Sequence, residues 1–517
     1  MPAETGGLFA DWPLAEEPAS AQPESAAKEA PAAPPRFKTI DRRQTFFRTV
    51  DVETLIDEDH AARAIWSIVE KLDLSAFSEP TRALEGCPGR SAINPRLLAS
   101  LWIYAYSQGI GSAREISRLC GYHPAYQWLT GAEDLSGPTL SDFRVKHQTA
   151  LEKLFVEVVG VLSAEGFVKL NRVMQDGTKV RACAAADSFR RRQRLEEHLA
   201  QARAQCAELA QASENEDSLV QMQARKRAAE DRAERLGAAI QQIQQLEAES
   251  GSGKVRVSSS DPEARNMKQP DGGFAPSYNV QTTTAAVGKA IVSLEVTQAG
   301  NDFDQLTPAI DRLERTLDHK PEQVVADGGY VSQANILEAA TIGVGFIGPA
   351  MKPQAKAAQC YERAGVKPEF HADRFRYEPA ENCFYCPQGI RLRYEGKTQN
   401  AVVVISKYRA RTQDCAACEC KADCCPKNEK TGRSVQRSDY HQEIQEFQRR
   451  MAEPETQQIY RQRSEVAETP HLWIKAKFGL RQFHVRGLVK VGMEALWAAL
   501  TYNVVLLLRC RRQALRA

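Results

Sequence analysis

Between Phe37 and about Gly160 the apolar residues recur at helical spacing. In HAARAIWSIVEKL the positions Ala64, Ile65, Ile68, Val69 and Leu72 form one stripe, which predicts an amphipathic helix. Pro95-Arg96-Leu97 opens a second apolar helix running through Tyr106, and the turn GIGS leads into AREISRLC. PTLSDFRVKHQ then reads as a capped helix whose basic face includes Arg144, Lys146 and His147. Short helices on tight turns suit helix-turn-helix contact with DNA and suit an ordinary bundle almost as well, so both readings stay open. Past Gly160 the period changes. Val173 and Met174 read as the inner end of a strand, Tyr278, Val280 and Thr282 alternate, and Ile291 to Val296 make another strand. A helix over Leu306 to Leu317 precedes an apolar run of Val324, Val325 and Ala326, and Ile342 to Ile347 supplies a further strand.

One segment breaks this order. From Arg190 to Ser250 nearly every residue favours helix, and Leu195, Leu199, Ala202, Cys206 and Leu209 step by four and three before the pattern resumes at Leu236, Ile240 and Ile243. ASENED, Ala212 to Asp217, reads as the turn of a helical hairpin. The chain is therefore expected to be α/β, with a mixed sheet interrupted after its first strand. Its expected layout is a flexible leader over 1–36, a helical domain over 37–165, the first part of the α/β domain over 166–186 and 251–350, the hairpin over 187–250, a cysteine-rich insert over 351–435, and a last part over 436–517.

Charge alters this picture only locally. Across 517 residues, 68 basic side chains balance 66 acidic ones, so no global field announces a polyanion. No run of 18 or more residues is wholly apolar, and the acidic start lacks a secretory signal's basic and apolar parts, so a cytoplasmic protein without a membrane partner is expected. The positive charge gathers late: Lys477, Arg481, Arg486, Lys490, Arg509, Arg511, Arg512 and Arg516 are offset only by Glu494. A polyanion is the natural partner of that block.

Two patterns carry candidate chemistry. In NRVMQDGTKVRA an apolar strand runs into Asp176 and Gly177, and in PEQVVADGGYVSQANI another runs into Asp327, Gly328 and Gly329. Two strands ending in Asp-Gly can set two carboxylates at one edge of a sheet, the arrangement a divalent cation needs. The second pattern is sulfur. Of 13 cysteines, seven lie between Cys383 and Cys425, a density that favours local metal binding over dispersed disulfides. Two separated knuckles suggest a structural Zn²⁺ on Cys386, Cys415, Cys418 and Cys424, with Cys383 able to replace Cys386.

Together these segments resemble the bacterial insertion-sequence transposases with an RNase H-like catalytic domain and a DDE triad, in the branch with a Tyr-Arg-Glu-Lys signature. QDGTKV is similar to the family's first catalytic motif, VVADGGY to its second and YRQRSEVAETPHLWIK to its third. FGLRQFHVRGLVKV, Asn503, DPEARNMK, YNVQ, the Asn301-Asp302 pair and the cysteine block extend the likeness over about Arg42 to Leu508. The resemblance implies Asp176, Asp327 and Glu468 as the acids that hold two Mg²⁺ ions, or Mn²⁺ in their place. It implies Tyr460, Arg463 and Lys475 as signature residues contacting DNA, with Arg481 and Arg486 beyond them. The N-terminal helices resemble the family's DNA-end-binding domain. The implied partners are the terminal inverted repeats of the element and a target duplex, with oligomerisation when two ends are synapsed at the nucleoid. This chain departs from the pattern twice, with threonine and alanine from Thr282 to Ala286, and with Thr469-Pro470-His471-Leu472-Trp473 after Glu468. The second departure leaves Glu465 as a competing acid, although the seven residues from Glu468 to Lys475 favour Glu468. A DNA-binding protein without catalysis and a nuclease that cuts without joining would carry much the same sequence.

Overall fold

At the centre lies a six-stranded sheet in which one long strand, buried along most of its length, runs against all the others. A computed structural model describes residues 43, 49–79, 91–211, 219–349, 359–399, 403–426, 431–440 and 442–516, and the unit considered is Asp51–Ala517. The leader expected over 1–36 and the turn expected over 212–217 lie outside the described residues.

Helices come first: α1 (Ala61–Val69), α2 (Pro95–Ser107), α3 (Ala113–Cys120), α4 (Pro124–Thr130), α5 (Gly137–Lys146) and α6 (Gln148–Ala164). Their starts are fixed by side chains: Asn94 accepts from the Arg96 amide, Ser112 from that of Glu115 and Ser136 from that of Thr139, with proline in the first turn of α2 and α5. The sheet follows with β1 (Lys169–Arg181), and the chain then leaves through β2 (Phe189–Arg190) into α7 (Arg192–Gln211) and α8 (Leu219–Ser250), returning by β3 (Val257–Ser258). Leu195, Ala202, Leu236, Ala239 and Ile243 form a separate apolar seam between the two helices.

β4 (Arg265–Lys268), β5 (Phe274–Val287), β6 (Ile291–Thr297), α9 (Leu306–Leu317), β7 (Gln323–Ala326), α10 (Gln333–Ile342) and β8 (Gly345–Ile347) complete the sheet. Its order is β4-β5-β1-β7-β8, with β6 also on β5; β1 is parallel to β7 and β7 to β8. A second sheet of five antiparallel strands is built from β9 (Arg376–Glu378), β10 (Cys383–Tyr385), β11 (Arg391–Gln399), β12 (Val403–Ala410) and β13 (Ser434–Tyr440). Two short helices, α11 (Thr412–Ala416) and α12 (Lys421–Cys424), lie between β12 and β13. Then come α13 (Gln442–Ala452), α14 (Pro454–Arg461), α15 (Arg463–Leu472) and α16 (Leu488–Ala514).

α16 joins the N-terminal helices to the sheet. It packs on α2, α6 and β6, and Asn503 on it satisfies both backbone groups of Ile291, donating to the carbonyl at 2.7 Å and accepting from the amide at 3.0 Å. Among the described residues it alone is long and apolar enough to cross a membrane, yet 72% of its apolar stretch is buried inside the protein, as a core helix would be.

Here one expectation fails. Arg144, read from the sequence as part of a basic face, is 3% exposed. Its guanidinium donates to the Gly111 carbonyl at 2.6 Å, lies 4.7 Å from the Trp102 ring and pairs at 3.3 Å with Glu494, itself fully buried. Glu494 in turn accepts from the His484 amide and the His484 ring. A partner 350 residues away cannot be seen in a helical period.

Candidate active site

The parallel pairing of β1 with β7 matches Gln175 to Ala326, so Asp176, still inside β1 and paired with Thr282 of β5, and Asp327, the first residue past β7, follow at neighbouring places. Asp327 turns its carboxylate back to the Gly329 amide at 2.8 Å, and Asp176 accepts from the Gly177 amide at 3.0 Å. A third acid stands with them. Asp302, in the loop after β6, accepts from the side-chain amides of Asn279 at 2.8 Å and Gln281 at 2.6 Å. Gly177 makes room for this: a Cβ there would sit 2.4 Å from Gln281 Nε2 and 2.5 Å from Asp302 Oδ1.

The sequence named Asn301-Asp302 only as part of a resemblance and gave Asp302 no place at the site. The signal available was YNVQ, two amides on alternate positions of a strand otherwise buried; buried amides need partners, and Asp302 is theirs. Gln281 also accepts from the Tyr330 hydroxyl and from Gln175, so the strand and both acid-bearing loops share one polar network. Asn335 adds to it by donating to the Phe303 and Tyr330 carbonyls.

Asp176 is largely buried, and burial pushes its carboxyl up to about 6; Arg463 resists the shift, and the nearby Asp327 and Asp302 reinforce it. The carboxylates repel one another in a setting that strips water from them, which a bound divalent cation would relieve. The hard oxygen donors suit Mg²⁺ or Mn²⁺. As arranged, however, no three His, Cys, Asp or Glu side chains among the described residues form a group that could hold a metal ion.

α15 packs against β1 and β5 over these acids. Arg463 at its first turn lies 3.8 Å from the Asp176 carboxylate. His471, near its end, lies 3.8 Å from the same carboxylate and 3.0 Å from the Thr282 hydroxyl. Both residues of that contact belong to the two segments where this chain departs from the family pattern. Glu468 is exposed on α15 and, among the described residues, forms no hydrogen bond or ion pair with either aspartate. Glu465 reaches away, pairing with Lys289 at 2.5 Å. Lys475 donates to the Thr178 hydroxyl at 2.5 Å and the Lys179 carbonyl at 2.8 Å, two and three residues past Asp176. Burial lowers its pKa and Asp176 resists that fall. Tyr460 is half-buried against the core. Arg481 and Arg486 are exposed along the segment that runs beside the end of β1, where Arg486 donates to the Cys183 carbonyl at 2.9 Å.

His471 is 8% exposed, and burial first, then Lys475, lowers its pKa to about 3, so the imidazole is neutral at ordinary pH. The unfolded chain takes up a proton near pH 6.5 that the folded chain refuses, so stability falls as pH drops below 6.5 and continues to fall until about pH 3. Between pH 7 and 5 this amounts to about 2 kcal/mol. His471→Gln should therefore lose less stability than the parent over that interval when urea unfolding is followed in metal-free buffer. Equal losses would show that His471 does not titrate in this way.

The cysteines meet elsewhere. Cys386, Cys415, Cys418, Cys420, Cys424 and Cys425 line a cavity of about 20 Å³ beneath Arg433, room for about one water-sized occupant. Cys383 is turned from it, toward Glu381 at 3.7 Å. Cys425 and Cys424 are 3.8 Å apart, and the Cys415 thiol accepts from the Arg433 amide. Thiols are the soft donors that Zn²⁺ takes, but as arranged no three of them among the described residues form a group that could hold a metal ion.

A family described as "Transposase DDE domain" matches residues 385–508, and a "Transposase domain (DUF772)" matches residues 50–146. No curated protein matches. A solved piggyBac transposase synaptic complex with hairpin DNA aligns with 87% of this chain and 74% of that chain at 7% identity, with a TM-score of 0.28, too low to carry an argument. The two matched domains flank the acid-bearing strands on either side. Two stretches of the chain therefore match transposase families, the later of them a transposase DDE domain.

Proposed function

We propose that this chain is a transposase that binds the terminal inverted repeats of its element, cuts there and joins the freed 3′-hydroxyl to target DNA. The observation that carries the reading is the pairing of Gln175 with Ala326, which sets Asp176 and Asp327 side by side under α15. The mixed sheet, with one acid inside β1 and the other just past the parallel β7, supports an RNase H-like domain, and the seam between α7 and α8 and the separate antiparallel sheet support reading 187–250 and 351–435 as insertions in it. Residues 37–165 are the proposed end-binding domain.

In this proposal Asp176, Asp327 and Glu468, which as arranged do not form one group, would have to close on two Mg²⁺ ions, or Mn²⁺, and the ions would supply an activated water or 3′-hydroxyl and stabilise the leaving oxygen. Asp302 fixes the amides of Asn279 and Gln281 behind the acids. Arg463 and Lys475 bring positive charge beside Asp176, where a scissile phosphate would need it, and Tyr460, Arg481 and Arg486 extend the contact along the strand. A Zn²⁺ on Cys386, Cys415, Cys418 and Cys424 would be structural, since four thiolates leave no open coordination place. Two synapsed ends require at least two copies during reaction.

Incubation of the full chain with element ends and a plasmid in Mg²⁺ tests this directly. Joined products are expected beside cut ends. Cutting without joining would instead identify a nuclease, and binding with neither product a DNA-binding protein.

A further inference from the structure

Trp473, at the end of α15, carries two cations on its ring. Lys477 Nζ and Arg509 Cζ each lie 4.2 Å from the indole centroid, while Phe478 and Tyr502 meet the ring edge-on. Each cation gains from the π-system it faces. Yet the two are like charges around one ring, and among the described residues neither makes an ion pair. Three other cations that meet α15 or α16 are neutralised: Lys289 by Glu465, Arg511 by Glu165 and Arg144 by Glu494. Burial lowers the Lys477 pKa, and the neighbouring Arg509 lowers it further, as expected for charges gathered without a counter-ion.

Beside Arg509 opens a cavity of about 220 Å³, with Lys289, Thr469, Trp473 and Tyr502 also in its wall, while Lys477 meets the indole outside it. Thr469 follows Glu468 directly, so cavity and proposed third acid share one helix. We infer that Lys477 and Arg509 form an anion site on the Trp473 platform, and that it takes a backbone phosphate of the DNA strand engaged at the acids. The inference rests on the proposed function for its ligand. A tetrahedral dianion or monoester alone would satisfy the charge, but only a strand passing Glu468 brings a phosphate to this place as part of the reaction.

Binding of the full chain to a labelled duplex of fixed length and arbitrary sequence, measured over a range of salt concentrations, tests it. Each phosphate contact removed flattens the slope of log affinity against log salt by about 1. Lys477→Gln and Arg509→Gln should each show that change. Lys477→Met and Arg509→Met, which keep an apolar stem over the indole, should show it too, and Lys477→Arg should not. Arg511→Gln is the control, because its charge is already matched. Unchanged slopes in the Gln and Met variants, or an equal change in Arg511→Gln, would overturn the site while leaving the proposed function standing. Failure of the parent chain to bind the duplex would overturn both.

Discussion

Asp176→Asn is expected to lower strand cleavage by about a thousandfold or more while making the metal-free protein more stable above pH 7. The first effect follows from removing an anionic oxygen donor from the proposed metal set; a thousandfold corresponds to about 4 kcal/mol of barrier. The second follows from burial. The carboxyl goes from 3.8 to about 6 on folding, so its folded-state contribution favours low pH and is lost as pH rises through 6. Above that the ionised group costs roughly 2–3 kcal/mol, a penalty that asparagine escapes. Cleavage assays in Mg²⁺ and urea unfolding in metal-free buffer at pH 8 read the two effects separately. A variant that still cuts at the parent rate would remove Asp176 from the chemistry, and one destabilised at pH 8 would show that the carboxylate is held by more than the contacts described.

Arg144→Ala is expected to cost about 3–5 kcal/mol of unfolding free energy, because it leaves Glu494 fully buried and without its cation. The lesion lies where α5 meets α16, so it should loosen the N-terminal helices from the rest. Replacing both partners, Arg144→Met with Glu494→Leu, should recover most of the loss by removing the stranded charge. Recovery should stop short of complete, since the His484 and Val485 amides also donate to Glu494. Denaturant unfolding of the parent, single and double variants decides it. A single variant within about 1 kcal/mol of the parent would mean that water or the His484 ring neutralises Glu494 unaided.

These two sites show what could and could not be read along the chain. Asp176 and Asp327 stand out because each ends an apolar run at a glycine, a local signal that needs no knowledge of what lies opposite. That the two strands are neighbours is a tertiary fact. Asp302 went unrecognised because it sits in a loop and its role depends on amides of another strand. His471 showed up only as a departure from a familiar pattern; its contact with Thr282, itself part of the other departure, joins the two irregularities into one pair. Arg144 misled because helical spacing reports which residues share a face, without reporting whether that face meets water or Glu494. Among the cysteines, spacing left Cys383 and Cys386 interchangeable, and only the direction of each side chain separates them.

The arm formed by α7 and α8 leaves and re-enters through β2 and β3, which pair with each other for two residues and are clasped by Ser188 and Ser258 at 2.8 Å. Its two feet are thus already closed upon one another before the sheet begins. An arm so tied at its base can be lengthened, exchanged for a plain turn or lost between descendants without disturbing the strand order that gathers the acids. Its length is free to drift with whatever it touches, while the chemistry below stays fixed.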